Sequence, residues 1–278
     1  FARGGGLESQ KPGLQSTAET NAHGRHPTRY QPTVDSKNAP TEATPEATPD
    51  DPVLAPPTPA TPTEPMHGYW PDYPNAWLET HHRFVAEAQK GEAQVVFLGD
   101  SITQGWGANG KSEWDKRFAP LGAVNFGIGG DRTQQILWRV EHGTLDGLSP
   151  KIVVLKIGVN NLWGDLQEYG EEKVADGIEA CVRAIRRKVP GAKVLLLGIL
   201  PTKQQPDNPL RLGAQAINAR SAKLADDDHV FFRDLGEAFL EPDGTISPDV
   251  MPDYLHLSPE GYRRFADALE PVLRELLR

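Results

Sequence analysis

Short apolar runs alternate with helical patterns from about residue 75 to the end of the chain. The apolar runs are rich in valine, isoleucine and leucine and predict buried strands near 94–98, 122–126, 151–157, 193–199 and 229–233. Amphipathic patterns predict helices near 75–90, 112–118, 133–142, 169–189 and 210–226, and a last helix that starts near Pro259. This alternation predicts an α/β domain, a three-layer α/β/α arrangement with five parallel strands.

The first apolar run, Val95–Gly99, ends in an acid and a serine, Asp100 and Ser101. In parallel α/β sheets the carboxyl ends of the strands are where catalytic groups collect. A serine in this place is either a nucleophile or the cap of the next helix. From this run alone the cap is the commoner role.

Polar groups also occur in three other loops. The second run leads into Gly127–Asp131, the third leads into Gly158–Asn161, and Asp253–His256 lies just before the last helix. In a parallel sheet all of these loops lie at one edge. Their convergence favours the nucleophile over the cap for Ser101.

Each loop has another possible role. The glycines at 127–130 could cradle a phosphate, but Arg132 stands where a dinucleotide fingerprint needs its last glycine. Asn160 and its neighbour could be turn residues. Asp253 and His256 could ligate a metal, but no other ligand is found nearby at metal spacing, so a carboxylate that orients an imidazole is the better interpretation. Neither a metal nor a cofactor is expected.

The composition divides the chain. Residues 1–65 contain 12 of the 25 prolines and few large apolar side chains. They predict a Pro/Thr-rich linker or disordered tail, because so little apolar surface cannot offset the entropy cost of folding. Residues 66–278 are predicted to form the globular domain. Spacers of this kind tether secreted enzymes, so we expect a secreted, periplasmic or cell-surface location.

The charge argues against a nucleic-acid partner, and the hydropathy argues against a transmembrane helix. A net charge of -9 leaves no basic stripe for binding nucleic acid. No apolar run approaches the roughly 20 residues of a transmembrane helix. An oligomeric state is not indicated by the sequence.

Four motifs together resemble a known family. Gly99-Asp100-Ser101-Ile102, Gly127–Asp131, Gly158–Asn161 and the Asp-x-x-His of 253–256 are similar to the four blocks of the SGNH or GDSL-type esterases and lipases. The similarity is greatest to the branch of the platelet-activating-factor acetylhydrolase alpha subunits, which the segments Asn125–Asp131, Leu137–Arg139 and Asn208–Arg211 also resemble. It covers about residues 90–275, with Ile102 and Val159 as small departures.

The resemblance implies a flavodoxin-like SGNH hydrolase fold and a role for each site residue. Ser101 would be the nucleophile, His256 the general base, and Asp253 the group that holds the imidazole. The oxyanion hole would consist of the main-chain N–H groups of Ser101 and Gly130 and the side-chain amide of Asn160.

Four further residues near these motifs have two possible roles. Asp100 and Asp131 are expected to hydrogen-bond loop amides, with Asp100 kept as a candidate substrate-binding residue. Trp106 and Trp163 either line the mouth of the cleft, where they could stack on a sugar ring, or belong to the packing.

The predicted function is hydrolysis of short-chain, acetyl-type carboxylic esters through an acyl-enzyme. Acetylated carbohydrate is the first choice of substrate because of the tether and of Trp106 and Trp163. One alternative is a lipid-directed acetylhydrolase or lysophospholipase of the same fold. The other is a non-catalytic glycan-binding surface module, which would have no use for the complete set of site residues.

Overall fold

Five parallel strands form the centre of the computed structural model, which describes residues 58–63 and 75–278. The strands are β1 (Val95–Gly99), β2 (Ala123–Gly127), β3 (Ile152–Lys156), β4 (Lys193–Leu197) and β5 (Val230–Arg233). Their order across the sheet is β2-β1-β3-β4-β5, and all neighbouring pairs are parallel. In such a doubly wound sheet the direction of the crossovers reverses between β1 and β3, which is where ligands bind. All residues of β1 and β3 are buried, as is typical of strands covered on both faces.

Helices flank the sheet on both faces. The α-helices of the described residues are α1 (Ala76–Ala88), α2 (Ser101–Gln104), α3 (Lys111–Glu113), α4 (Thr133–Glu141), α5 (Asp165–Lys188), α6 (Pro209–Ser221) and α7 (Pro259–Leu276). Helices α4, α5 and α6 pack side by side, whereas α7 packs with α3 and the π-turn that follows α3. The predicted three-layer α/β/α fold is confirmed. None of these helices is both long enough and apolar enough to cross a bilayer.

Two helices differ from the prediction in detail. Helix α5 begins at Asp165, earlier than expected, and Gly170 interrupts it with a φ of 75°. The helix expected near 112–118 is the short α3 followed by a π-turn over Trp114–Phe118. Single turns of 3-10 helix complete the connections, at Gly105–Gly107, Ala119–Leu121, Val159–Trp163, Ala222–Leu224 and Gly236–Phe239.

An aromatic cluster fills the space between β1 and α7. Its ring centroids lie 4.7 to 6.5 Å apart, and its members are Phe97, Trp106, Trp114, Phe118, Tyr262 and Phe265. The Tyr262 hydroxyl also donates a hydrogen bond of 2.7 Å to the Ile102 carbonyl. The cluster therefore anchors α2, the helix that begins with Ser101, on the last helix of the chain.

Residues 58–63 pack against the start of α4, although the composition assigns them to the linker. Pro59 is buried, and its carbonyl accepts a hydrogen bond of 2.7 Å from Thr133 Oγ1. Gly177 in α5 leaves room for this contact, since a Cβ there would lie 2.6 Å from the Pro59 oxygen. These six residues therefore pack with the globular domain. The rest of the predicted linker over residues 1–65 lies outside the described residues.

His81 is a buried histidine on α1. Its side chain is stacked on Trp77 at a centroid distance of 5.9 Å, and its Nδ1 lies 3.2 Å from Thr144 Oγ1. The residue is 2% exposed. Burial, together with the nearby Arg139 guanidinium, lowers the pKa of His81 from 6.5 to about 4. The ring is therefore neutral at neutral pH.

This histidine should make the fold acid-sensitive. Between pH 6.5 and pH 4 the unfolded chain protonates His81 and the folded chain does not, so its contribution to the free energy of unfolding falls as the pH falls. The difference is about 3 kcal/mol across this window. His81→Phe keeps a ring in place without a titrating group, so its stability should depend less on pH than that of the wild type. Denaturant unfolding at several pH values measures this slope.

Gln89, an exposed and non-titrating residue at the end of α1, provides the control for that experiment. Gln89→Ala should keep the slope of the wild type. A slope for His81→Phe that equals the wild-type slope would contradict the role assigned to His81.

Candidate active site

Hydrogen bonds join the polar loops at the carboxyl edge of the sheet. Ser101 Oγ, after β1, lies 3.0 Å from Nε2 of His256, which precedes α7. The Asn160 side-chain amide, after β3, donates a bond of 2.9 Å to the main-chain carbonyl of Asp131, after β2. The Ile128 N–H also donates to the Gly99 carbonyl at 3.0 Å, which joins the loops after β1 and β2. The structure thus brings together groups from four separate stretches of the sequence.

Ser101, His256 and Asp253 form a continuous chain of hydrogen bonds. His256 Nδ1 lies 2.7 Å from Asp253 Oδ2, and its Nε2 faces the Ser101 hydroxyl. With the ring proton on Nδ1, the carboxylate accepts that proton's hydrogen bond and Nε2 can accept the serine proton. This arrangement can activate a hydroxyl as a nucleophile.

Asp253 also fixes the turn that carries the base. Its Oδ1 accepts hydrogen bonds from the main-chain N–H groups of Leu255, at 3.0 Å, and His256, at 2.7 Å. Partial burial raises the pKa of Asp253, but the hydrogen bonds from the His256 side chain and main chain outweigh it, so the pKa lies below its ordinary value. The carboxylate is therefore ionised at neutral pH and can stabilise an imidazolium. The side chains of Asp253 and His256 are 55% and 49% exposed, so solvent reaches both.

Asp100 lies beneath Ser101 in the interior. It is fully buried, its Oδ1 caps α2 by accepting a bond of 3.0 Å from the Ile102 N–H, and Lys156 Nζ lies 3.1 Å from its Oδ2. Lys156, at the end of β3, is also buried. Burial lowers its pKa, against the raising effect of Asp100. Because a buried, paired carboxylate cannot reach a substrate, the prediction that Asp100 binds substrate is wrong, and its structural interpretation holds.

The three predicted oxyanion donors lie in the loops that these bonds join. Gly130 has a φ of 82°, in the left-handed region that favours glycine, and its N–H donates to no acceptor in the described part of the chain. The Ser101 N–H is in the first turn of α2, where N–H groups have no partner within the helix. The bond to Asp131 orients the Asn160 amide and uses one of its two hydrogens. These groups are the kind of preorganised donors that a tetrahedral oxyanion requires.

The buried side chain of Asp131 anchors the loop that carries Gly130. It is fully buried, and its two carboxylate oxygens accept hydrogen bonds from Trp77 Nε1, at 2.7 Å, and from Arg139. Arg139 also donates to the Phe126 carbonyl at the end of β2. Burial raises the pKa of Asp131 to about 6, although Arg139 and Trp77 lower it, so the carboxyl is ionised at neutral pH. The sequence predicted a structural Asp131 but missed both partners; the one signal is Arg139 on the largely buried face of α4.

The two tryptophans have different environments. Trp106 is 1% exposed within the aromatic cluster, so the prediction that it lines the cleft is wrong and it belongs to the packing. Trp163 is 42% exposed and lies in the same 3-10 turn as Asn160. Lys203 Nζ lies 5.6 Å from the centre of its ring. Trp163 therefore stays a candidate for contact with a substrate.

Asp253 and His256 lack the surroundings of metal ligands. They are bonded to each other, and His256 is also bonded to Ser101. Within residues 58–63 and 75–278, no three His, Cys, Asp or Glu side chains are grouped as a metal site requires. A catalytic zinc site typically has three such protein ligands.

Asn160 gives a direct test of the oxyanion hole. Asn160→Ala should lower kcat for a short ester by about 100- to 1000-fold with little change in KM, because the missing amide acts on the transition state. Steady-state kinetics with an acetyl ester measure this effect. Its neighbour Asn161 is buried and bonded to Asp165, so Asn161→Ala serves as the control for loss of stability. Equal kcat values for Asn160→Ala and the wild type would remove Asn160 from the oxyanion hole.

Comparisons with known proteins agree with this geometry. Residues 97–264 match the model of the GDSL-like lipase/acylhydrolase family. The human platelet-activating factor acetylhydrolase IB subunit alpha1 is 44% identical over 203 residues, which cover 72% of this chain and 84% of that protein.

Two solved structures have a similar fold. A putative platelet activating factor protein from Streptococcus pneumoniae has a TM-score of 0.58 and 23% identity, and the alignment covers 72% of this chain and 95% of that one. A variant of an acetyl-xylooligosaccharide esterase from Geobacillus stearothermophilus has a TM-score of 0.51 and 26% identity, with 66% and 93% covered.

The family match spans more than half of the chain and includes Ser101, Gly130, Asn160, Asp253 and His256. The hydrogen-bonded serine, histidine and aspartate lie at the sheet edge where this fold binds ligands. The chain belongs to the GDSL-like lipase/acylhydrolase family and is a carboxylic ester hydrolase.

Proposed function

We propose that this protein is a serine esterase that removes acetyl groups from O-acetylated carbohydrates through an acyl-enzyme on Ser101. The observation that carries the proposal is the position of the His256 ring. It lies 3.0 Å from the Ser101 hydroxyl on one side and 2.7 Å from the Asp253 carboxylate on the other. A hydroxyl held in this way is a nucleophile for acyl transfer.

Acylation follows from this geometry. Ser101 Oγ attacks the ester carbonyl carbon while His256 Nε2 takes the hydroxyl proton, and the carbonyl oxygen becomes an oxyanion. The Ser101 and Gly130 N–H groups and the Asn160 amide stabilise that charge. The C–O bond to the sugar then breaks, and the imidazolium returns the proton to the departing alkoxide. Ser101 is left as an acetyl ester.

Deacylation repeats these steps with water. His256 Nε2 takes a proton from a water molecule, whose oxygen attacks the acetyl carbonyl carbon. The second tetrahedral intermediate breaks the bond to Ser101 Oγ, which regains its proton from the imidazolium. Acetic acid leaves and loses its proton to the solvent to become acetate, and the enzyme returns to its starting state with Asp253 ionised throughout.

The acetyl group and the carbohydrate have separate support. A relative 44% identical is named an acetylhydrolase, and a solved structure with 26% identity is named an acetyl-xylooligosaccharide esterase. The exposed ring of Trp163 follows Asn160 by three residues, which suits stacking on a sugar beside the ester. The buried Trp106 no longer supports a sugar site, so the case for carbohydrate rests on Trp163 and the esterase likeness.

A lipid ester is the alternative substrate. The name of the human relative, a platelet-activating factor acetylhydrolase, favours this candidate. A non-catalytic glycan-binding module is disfavoured, because binding alone does not need the hydrogen-bonded Ser101, His256 and Asp253.

Rates on matched esters test the proposal. We expect turnover to fall steadily from two-carbon to eight-carbon nitrophenyl esters, and kcat/KM for acetate release to be higher with acetylated xylooligosaccharides than with a 1-alkyl-2-acetyl phospholipid. Equal or faster turnover of eight-carbon chains would overturn the acetyl preference. A higher kcat/KM on the phospholipid would replace the carbohydrate proposal with the lipid alternative.

Trp163→Ala tests the sugar contact separately. We expect it to raise KM for the acetylated oligosaccharide about 10-fold and to leave kcat/KM for nitrophenyl acetate within about threefold of the wild type. Leu212, the other large apolar side chain that is exposed in the described residues, provides the matched control. Leu212→Ala should change neither value, and an unchanged KM in Trp163→Ala would remove Trp163 from the sugar site.

A further inference from the structure

Arg211 is a buried cation near the start of α6, in the segment Asn208–Arg211. The residue is 1% exposed, and the hydrogen bonds of its guanidinium within the described residues go to main-chain carbonyls and not to a carboxylate. An unpaired buried charge is costly to desolvate, and burial accordingly lowers the pKa of Arg211. The fold keeps this charge only by surrounding it with other polar groups.

Those groups are main-chain carbonyls of two loops. Arg211 Nε donates to the Thr202 carbonyl at 3.2 Å, and Nη2 donates to the carbonyls of Lys203 and, at 3.3 Å, Gln204. Nη1 donates to the Gly244 carbonyl at 2.6 Å. A planar guanidinium can make such a set of directed bonds, whereas a lysine ammonium cannot reproduce it. Arg211 therefore fixes the path of residues 202–204.

Residues 202–204 in turn hold the turn over residues 253–256, which carries Asp253 and His256. The Tyr254 carbonyl accepts a hydrogen bond of 2.8 Å from the Lys203 N–H and one of 3.0 Å from Thr202 Oγ1. Tyr254 follows Asp253 directly and precedes His256 by two residues. A shift of residues 202–204 would therefore move the acid, the base or both.

The backbone on both sides of this contact is strained. Lys203 has a φ of 65° and Tyr254 a φ of 58°, both in the left-handed region, which is unfavourable for residues other than glycine. Such conformations persist where the surrounding structure imposes them, and they cluster at functional sites. Here the bonds of Arg211 hold Lys203 in this conformation. The bonds to the Tyr254 carbonyl then link Lys203 to Tyr254.

We infer that Arg211 is a positioning residue for the esterase reaction, because it holds residues 202–204 against Tyr254 and thereby keeps His256 Nε2 at hydrogen-bond distance from Ser101. This role rests on the proposed function of Ser101, His256 and Asp253. Arg211 contacts neither the nucleophile nor the base, so its effect on catalysis passes through the turn over 253–256.

A purely structural role is the alternative, and α6 offers a matched control. Asn218, two turns further along, is also buried and bonds to main-chain groups, donating to the Ile199 carbonyl and accepting from the Ile199 N–H. It also donates to Asp234, so its hydrogen bonds go to Ile199 and Asp234 and not to residues 202–204 or 253–256. Asn218→Ala thus removes a comparable buried brace without touching the turn.

The test compares Arg211→Met, Arg211→Lys and Asn218→Ala in the full chain. For nitrophenyl acetate below the melting temperature, Arg211→Met should lower kcat about 10- to 100-fold with KM within about threefold, since small misplacements of a catalytic group have effects of this size. Arg211→Lys should recover part of the loss. Asn218→Ala should lower Tm but keep kcat within about threefold.

A spectroscopic signature complements the rates. The proton between His256 Nδ1 and Asp253 gives a downfield proton NMR resonance, which should shift or broaden in Arg211→Met and stay in place in Asn218→Ala. If Arg211→Met does not fold, Thr202→Val decides, because it removes only the hydroxyl bond to the Tyr254 carbonyl. Wild-type kcat and an unshifted resonance in Arg211→Met, or in Thr202→Val as its substitute, would overturn the inference. Retained activity in Ser101→Ala would instead overturn the proposed function, so the two failures are distinguishable.

Discussion

Ser101→Ala is expected to lower kcat for an acetyl ester by at least about 10,000-fold, because no other group of the site can form the acyl-enzyme. Ser101 Oγ is the atom that His256 Nε2 faces at 3.0 Å. The substitution removes a partly exposed hydroxyl and keeps the main-chain N–H that begins α2, so the fold should be unchanged. Release of nitrophenol and of acetate at saturating ester measures the loss.

Thr103 provides the control for Ser101→Ala. It lies on the same short helix, two residues further on, and is buried. Thr103→Val changes a neighbouring hydroxyl without touching His256, so its kcat should stay within about tenfold of the wild type. Acetate release by Ser101→Ala at the rate of the wild type would show that the nucleophile is another residue.

The second large effect is expected from Asp253→Asn. The asparagine carbonyl oxygen can still accept the hydrogen bonds from the Leu255 and His256 N–H groups, so the turn should keep its shape. Its amide group, however, faces His256 Nδ1 as a donor, which forces the ring proton onto Nε2. His256 can then no longer accept the proton of Ser101, and kcat at neutral pH should fall by about 10,000-fold.

A similar pair elsewhere in the chain controls for this substitution. Asp228 and His229 form an exposed contact of 2.9 Å and do not belong to any loop of the site. Asp228→Asn should leave kcat unchanged. An Asp253→Asn variant with wild-type kcat would show that the carboxylate does not set the tautomer of His256, even if Ser101 is the nucleophile.

Both expectations depend on residues that the sequence already singled out. Ser101, Asn160 and His256 follow or precede predicted elements whose parallel arrangement places them at one edge, so their convergence was predictable. The pattern also identified all five strands, since each is a short apolar run. The break at Gly170 in α5 was not foreseen, because a glycine can either continue a helix or interrupt it.

The errors concern side-chain direction. Asp100 and Trp106 flank the nucleophile in the sequence, but both point into the interior, where Lys156 and the aromatic cluster receive them. Proximity along the chain does not say which side of a short helix faces the ligand. Lys156 itself had one signal, a lysine at the end of an otherwise apolar strand.

The hydrogen bonds that hold the site loops in place could not be predicted from the sequence for a different reason. Trp77 lies 54 residues from its partner Asp131, and Arg211 reaches the turn over 253–256 only through an intermediate segment. Periodicity and motifs predict elements and their faces, but they do not predict which distant loops share a hydrogen bond. Tertiary structure decides these pairings.

The central claim is that Ser101 is the residue that becomes acylated. A reactive organophosphate ester, which forms a stable phosphoryl bond with an activated serine, tests it most directly when the labelled protein is digested and analysed by mass spectrometry. We predict one phosphoryl group per chain, located on Ser101, with esterase activity lost in proportion to labelling and no labelling of Ser101→Ala. Complete inactivation with the label on another side chain, or full activity after Ser101 is labelled, would contradict the account.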